Sequence, residues 1–216
     1  MNLFIYGSGG TGCEIADIVH RINQRQQQWE QIRFVDDVRE EREYYGMPVL
    51  RFDDMLREQA PFECVIAQGE PRHRRTLHDK VTAAGVALAR VIDPGATVSP
   101  SADIAPGCVI WPGVFVSSLT RLEANVIVQI NSVIGHDAVL GAHSVISSGV
   151  SVGGASVVGQ EAFVGMGATV KEKIQVGDHA IVGMGASLFT SLEPGLVALG
   201  NPARAMVQNV DRKVFK

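Results

Sequence analysis

The sequence predicts a mixed fold: a small α/β domain over residues 1–91, then a parallel β-helix over residues 92–216. Three observations predict it. Aliphatic side chains recur with an unbroken period of six from Ile92 to Leu188, a strand, a glycine run and a helix open the chain, and strand and helix signals alternate between the two. Period six suits neither an amphipathic helix at 3.6 nor a strand at 2. It suits a coil of hexapeptides.

Leu3-Phe4-Ile5-Tyr6 reads as a strand, Gly7-Ser8-Gly9-Gly10-Thr11-Gly12 as a loop, and Ile15, Ile18, Val19 and Ile22 as one face of the following helix. That order builds a Rossmann-like phosphate cradle: glycines let backbone N–H groups reach an anion, and the helix N-terminus adds positive charge. Gly7, Gly9 and Gly12 match GxGxxG, which by itself leaves three readings open: a tight turn, a nucleotide-sugar site, or a dinucleotide site. Arg33-Phe34-Val35 is a second strand, ending at Asp36-Asp37, where such a fold places a carboxylate on a ribose. Asp53 or Asp54 is expected to cap a short helix through Leu56. Cys64-Val65-Ile66-Ala67 is another strand, a helix runs from Pro71 to about Ala84 with Gly85 as its stop, and Val86 to Ile92 is the last strand. The run Arg72-His73-Arg74-Arg75 reads as a solvated helix face or a phosphate contact.

In the repeat section, three hexads per turn would stack the aliphatic side chains about 4.8 Å apart along a triangular prism. The position two before each is usually small (Ala96, Cys108, Ser132, Ala162), and glycine often follows (Gly135, Gly141, Gly153, Gly159, Gly165, Gly177, Gly183). These glycines are expected at corners with positive φ. Beyond Leu188, Pro194 to Arg204 reads as a turn and a strand-like closure, and the last dozen residues as a short helix or loose tail.

A net charge of −4 with scattered signs argues against a nucleic-acid surface. The opening strand lacks the basic region and cleavage site of a signal peptide, and no apolar run approaches the roughly 20 residues of a membrane span. The three cysteines have no CxxC spacing and are expected to be reduced, so a cytoplasmic location is expected.

Of the histidines in the repeat section, His136 follows stacked Ile134 by two, a position that faces outward, and His143 reads as a surface residue. A zinc hydratase on such a prism needs three convergent histidines. The repeat section holds no His-x₄-His spacing, and no histidine stands between His78 and His136, so no metal is expected. A non-catalytic binding module stays open at this stage.

The hexads, the Gly135-His136-Asp137-Ala138-Val139-Leu140-Gly141 segment, the N-terminal glycines with Asp36-Asp37 and the closing Gly200-Asn201-Pro202-Ala203 together resemble the hexapeptide-repeat sugar acyltransferases of the sialic acid O-acetyltransferase type. That group includes nucleotide-sugar N-acetyltransferases that make bacillosamine or perosamine derivatives. The resemblance implies a left-handed coil, an exception to the usual crossover hand, and a homotrimer with active sites between prisms. It implies acetyl-CoA as co-substrate, with Gly153, Gly154, Met166 and Met184 flanking the pantetheine and the N–H of Gly153 or Gly154 polarising the thioester oxygen. It implies His136 as general base assisted by Asp137, and an acceptor nucleotide on Gly7, Gly9, Gly10, Thr11, Asp36 and Asp37. The acceptor is expected to be a nucleotide-linked amino sugar, with the hydroxyl of sialic acid as the alternative. Two positions depart from the pattern: many relatives carry histidine where Thr11 and Val145 stand.

Overall fold

A computed structural model describes residues 1–215. Its first part is a five-stranded sheet formed by β1 (Asn2–Tyr6), β2 (Ile32–Val35), β3 (Glu43–Tyr44), β4 (Met47–Leu50) and β5 (Phe62–Ile66), with helices α1 (Gly10–Arg25), α2 (Phe52–Met55) and α3 (Pro71–Ala83). The spatial order is β3-β4-β2-β1-β5, all parallel except the β3–β4 hairpin. Central β1 is buried on both faces. Leu3 and Ile5 join a core that continues into the coil, whereas Phe4 and Tyr6 pack with Phe52, Cys64, Ile66 and Val81. The hairpin leaves no trace in the sequence periodicity, because strands as short as β3 carry none. Short α2 is not capped by Asp53 or Asp54, which lie inside its first turn; the Phe52 N–H is taken by the Asp37 carboxylate at 2.9 Å.

From Val91 onward each hexad contributes one short strand that ends on the periodic aliphatic residue. Only Val91–Ile92 of the expected Val86–Ile92 strand is regular; Leu88 makes an isolated bridge to Cys64. Each strand pairs in parallel with the third strand before it and the third after it, as Val116 with Ile134 and Ile134 with Val152, so three hexads make one coil and three sheets make a prism. We call the sheet starting at Val91 face 1, that starting at Thr97 face 2 and that starting at Asp103 face 3. Most of the stacked aliphatics, Leu122, Ile134, Leu140 and Ile146 among them, are fully buried, each contributing roughly 1.5–3 kcal/mol.

The corner chemistry differs from the expectation. Positive φ falls three residues after the aliphatic position in every hexad from Ile104 to Val182, as at Asn125, Asn131, Asp137, His143, Glu161 and His179, and at Gly107, Gly149 and Gly167. The glycines directly after the aliphatic residue serve close approach instead: a Cβ on Gly135 would sit 2.6 Å from the Gly154 nitrogen one coil above, and one on Gly141 2.6 Å from that of Gln160. Any side chain there would push two coils apart.

The coil end is closed by an antiparallel hairpin of Leu196–Leu199 and Arg204–Gln208, so part of the expected helix or tail is strand. The segment after it turns back onto the α/β part, where Glu70 accepts from the Val214 and Phe215 N–H groups and Phe215 packs edge-on against Phe163. Lys216 lies outside the described residues. No helix among the described residues is long and apolar enough to cross a membrane.

Candidate active site

The α/β part rides on face 1 and touches both of its corners. At the corner between faces 1 and 2, Arg21 of α1 pairs with buried Asp93 at 2.7 Å and the Trp111 indole donates to Glu14 at 3.1 Å. At the corner between faces 3 and 1, the successive residues Asn125, His143 and Glu161 lie under α3. Fully buried Arg74 donates to the carbonyls of Ile66, Gln68 and Asn125, and Arg75 pairs with Glu161 at 2.7 Å. Arg74 is thus neither a solvated residue nor a phosphate contact; it bonds three carbonyls that would otherwise be orphaned.

The corner between faces 2 and 3 stays open and carries His136. Its Nδ1 lies 2.7 Å from Asp137 Oδ2, and its side chain is 68% exposed. Asp137 reaches back because it occupies the left-handed position, φ +57°. A donor on Nδ1 facing a carboxylate leaves Nε2 free to accept a proton. One coil above stands Gly154, where a Cβ would meet Nε2 at 2.7 Å, so only glycine leaves room for the ring. The Gly153 N–H is spent on the Val170 carbonyl at 2.8 Å, which removes it as a polarising donor; the Gly154 N–H has no acceptor among the described residues.

Met166 and Met184, both exposed, occupy equivalent places in successive coils on the corner between faces 1 and 2. They are therefore not beside His136 of their own chain. The two corners flank face 2, whose outward residues Phe115 and Val133 are exposed.

His143, expected at the surface, is buried. It stacks edge-on with His78, centroids 4.7 Å apart, and its Nδ1 lies 3.1 Å from Asn125 Nδ2. Burial pushes its pKa down to about 4, with the charges of His78 and Arg74 adding to the effect. His78, Asp79 and His143 bring their donor atoms within 4.8 Å of one another. However, Asn125 Oδ1 is held by Arg74, so the amide nitrogen faces His143 and its Nδ1 is already an acceptor. Val145 is buried and offers no polar group.

At the carboxyl ends of β1, β2 and β5 a cavity of about 300 Å³ is lined by Tyr6, Gly7, Asp36, Asp37, Gln68 and His73. The glycines divide by role. Gly7 has φ +113° with the Ala67 carbonyl 2.5 Å from where a Cβ would be, and at Gly12 a Cβ would fall 2.1 Å from the Gly7 carbonyl oxygen; Gly9 and Gly10 face open space. The N–H groups of Gly9 to Gly12 have no acceptor among the described residues, as the first turn of α1 requires. Thr11 sits half-exposed in that turn.

Both carboxylates are engaged. Partial burial raises the Asp36 carboxyl, but bonds accepted from the Ser8 hydroxyl and from the N–H groups of Arg39, Val38 and Ser8 outweigh this and hold it at about 2. Burial also opposes the charged form of Asp37, and Lys80 at 2.7 Å, the Tyr6 hydroxyl and the Phe52 N–H overcome it. Asp36 thus braces the glycine loop against the end of β2, and Asp37 retains one free acceptor site. No sequence motif marks Ser8, Arg39 or Lys80, because their partners here are distant along the chain: Asp36 for Ser8, Ser8 for Arg39, and Asp37 for Lys80.

Residues 2–81 match the family model described as PglD N-terminal domain, and residues 132–159 and 156–189 match that of the hexapeptide repeat of succinyl-transferase. The acetyltransferase domain of PglB from Neisseria gonorrhoeae, solved with acetyl coenzyme A, is 31% identical over 95% of this chain and 98% of that one, with a TM-score of 0.88. The chain belongs to the hexapeptide-repeat sugar acetyltransferases of the nucleotide-sugar type. A variant of perosamine N-acetyltransferase from Caulobacter crescentus, in complex with CoA and GDP-perosamine, is 28% identical over 96% of this chain and 98% of its own, TM-score 0.89. WeeI from Acinetobacter baumannii is 26% identical over 95% and 100%, TM-score 0.88. As in the other sugar acetyltransferases of this family, the coil is left-handed.

Proposed function

We propose that this acetyltransferase moves the acetyl group of acetyl-CoA to the amino group of a nucleotide-linked sugar, by direct transfer in a ternary complex with His136 as general base. The observation that carries the reading is the His136–Asp137 pair at 2.7 Å, held on an open corner beneath a glycine that leaves Nε2 unobstructed. The neutral amine attacks the thioester carbonyl carbon, a C–N bond forms, and Nε2 takes the departing N–H proton. When the tetrahedral species collapses the C–S bond breaks, and the proton passes to the CoA sulfur. Asp137 fixes the tautomer and stabilises the imidazolium. The free Gly154 N–H is suited to the developing oxyanion.

In this reading residues 1–91 hold the nucleotide and residues 92–216 the coenzyme. Gly7 and the N–H groups of Gly9, Gly10 and Thr11 face the diphosphate, and Asp37, with Asp36 behind it, faces the ribose. Exposed Met166 and Met184 line the pantetheine channel. Because the His136 corner and the methionine corner flank the same exposed face 2, packing three prisms through that face brings one corner of each protomer against the other corner of its neighbour. A homotrimer therefore assembles each site from two chains.

The reading is tested by following thiol release from acetyl-CoA with GDP-, UDP- and dTDP-linked amino sugars and with free sialic acid. Turnover on at least one amino-sugar nucleotide is expected; activity on sialic acid alone would replace this reading with O-acetylation, and no turnover on any would remove it. Sedimentation is expected to report a trimer.

A further inference from the structure

After the closing hairpin, residues 209–215 cross from the coil end to the loop that follows β5. The crossing is fixed at two points. At the first, the Asn209 N–H donates to the Gly195 carbonyl at 2.7 Å and its side-chain amide to the His179 carbonyl at 3.3 Å. At the second, the Glu70 carboxylate accepts from the Val214 and Phe215 N–H groups at 3.0 and 3.1 Å, Arg72 donates to the Asp211 carbonyl at 3.2 Å, and the Phe215 ring packs on Phe163 and over Gly69. We propose that this segment is a strap with Glu70 as its catch, and that closing it holds the loop and α3 in the conformation that binds the acceptor's nucleotide; Glu70 is thereby a positioning residue. The inference rests on the nucleotide-linked acceptor argued above and deepens it by adding a control on that site.

Three observations carry it. First, the catch is a buried acid. Glu70 is only 5% exposed, it stands at the N-cap of α3 without making a capping bond, and its side-chain partners among the described residues are the two successive strap N–H groups. Successive N–H groups that converge on a carboxylate form an anion-binding concavity. A carboxylate stripped of such partners must turn to water, so releasing the strap moves residue 70 and the start of α3 with it.

Second, what Glu70 anchors is one wall of the cavity at the carboxyl ends of β1, β2 and β5. Gln68, two residues before it, lines that cavity, and α3 supplies His73 and Thr76 to the same lining and Lys80 to Asp37. Gln68 Oε1 accepts the Gly69 N–H at 3.0 Å, which leaves Nε2 as the group free for a ligand. Arg74 fixes the Gln68 carbonyl, and the strap fixes the next two residues, Gly69 and Glu70. Third, the strap is weakly packed between its ends. A cavity of about 480 Å³ lies between it and Ile181, Val197 and Leu199, and Val210 at its middle is exposed. A segment joined at its ends and hollow beneath opens at low cost, so a ligand that favours the closed form shifts it.

The test uses the full chain with GDP, UDP and dTDP as probes. In wild type, amide exchange at Val214 and Phe215 is followed with and without each nucleotide at saturation; the one that binds is expected to slow exchange by about 5-fold, because binding and closure are reciprocal. In Phe215→Ala and Glu70→Gln the dissociation constant of that nucleotide is expected to rise by a similar factor. Their kcat at saturating acceptor and their acetyl-CoA KM are expected to stay within about twofold of wild type, and Phe215→Tyr, which keeps the ring, to bind as wild type does. Exchange indifferent to nucleotide, or nucleotide affinity unchanged in both variants, overturns the strap and leaves the transferase reading standing. An equal rise in the acetyl-CoA KM makes the segment a support of the whole coil end and also overturns it. A wild type that binds no nucleoside diphosphate and acetylates no amino-sugar nucleotide overturns both readings. The wild-type exchange measurement decides the matter should either variant lose its native melting transition.

Discussion

His136 and His143 stand close together in the chain on different corners of the prism, and the structure gives them opposite fates. His136 occupies the second position after its aliphatic residue, on the one corner that the α/β part does not reach, and its ring is held open by Asp137. His143 occupies the third position, in the left-handed conformation, on a corner roofed by α3, where it packs on His78 and Asn125. What a residue does on this prism is therefore decided by which corner it is on and what lies over that corner.

The largest expected effect separates the two outright. His136→Ala should lower kcat on the order of 10²–10⁴-fold while the acetyl-CoA dissociation constant and the melting temperature stay near wild type; full turnover in that variant would move the base elsewhere. Next comes the glycine above the ring. Gly154→Ala is expected to lower kcat by about 10²-fold through displacement of Nε2, because its Cβ would lie 2.7 Å from that atom, and a crystal structure should show the imidazole turned aside. Asp137→Asn keeps the shape of the pair but not its charge, and about a 10-fold loss in kcat is expected, with the pH–rate profile altered rather than merely lowered.

The smallest effect probes the covered corner. His143 has a folded-state pKa of about 4 against an ordinary 6.5, so the folded form disfavours its protonation. Its contribution to stability is complete above pH 6.5 and is lost as pH falls toward 4. Wild type should melt a few degrees lower at pH 5 than at pH 7.5, and His143→Asn, which also tolerates positive φ, should show a shallower pH dependence with kcat close to wild type. Equal slopes in the two proteins would mean that other groups set the acid limit.

Much of this is legible in the chain. The aliphatic period marks every coil strand because stacking repeats the same local geometry once per coil, and the strand, glycine loop and helix mark the start of the α/β part. The glycine code at the corners is not legible in the same way. Positive φ is a property of one residue, whereas the close approach at Gly135 and Gly141 depends on the next coil up. The charge on Arg74 likewise suggests solvent, and only the coil carbonyl of Asn125, remote in sequence, shows it buried.

The sequence by itself determined the prism, the α/β opening and the presence of an outward imidazole next to a carboxylate, because each follows from contacts within one hexad or one loop. Only the tertiary structure decided which corner stays open, which glycine N–H is free and on which edges Met166 and His136 stand. Those depend on where the α/β part docks and on how the coil divides positions among three corners, and a one-dimensional pattern carries neither.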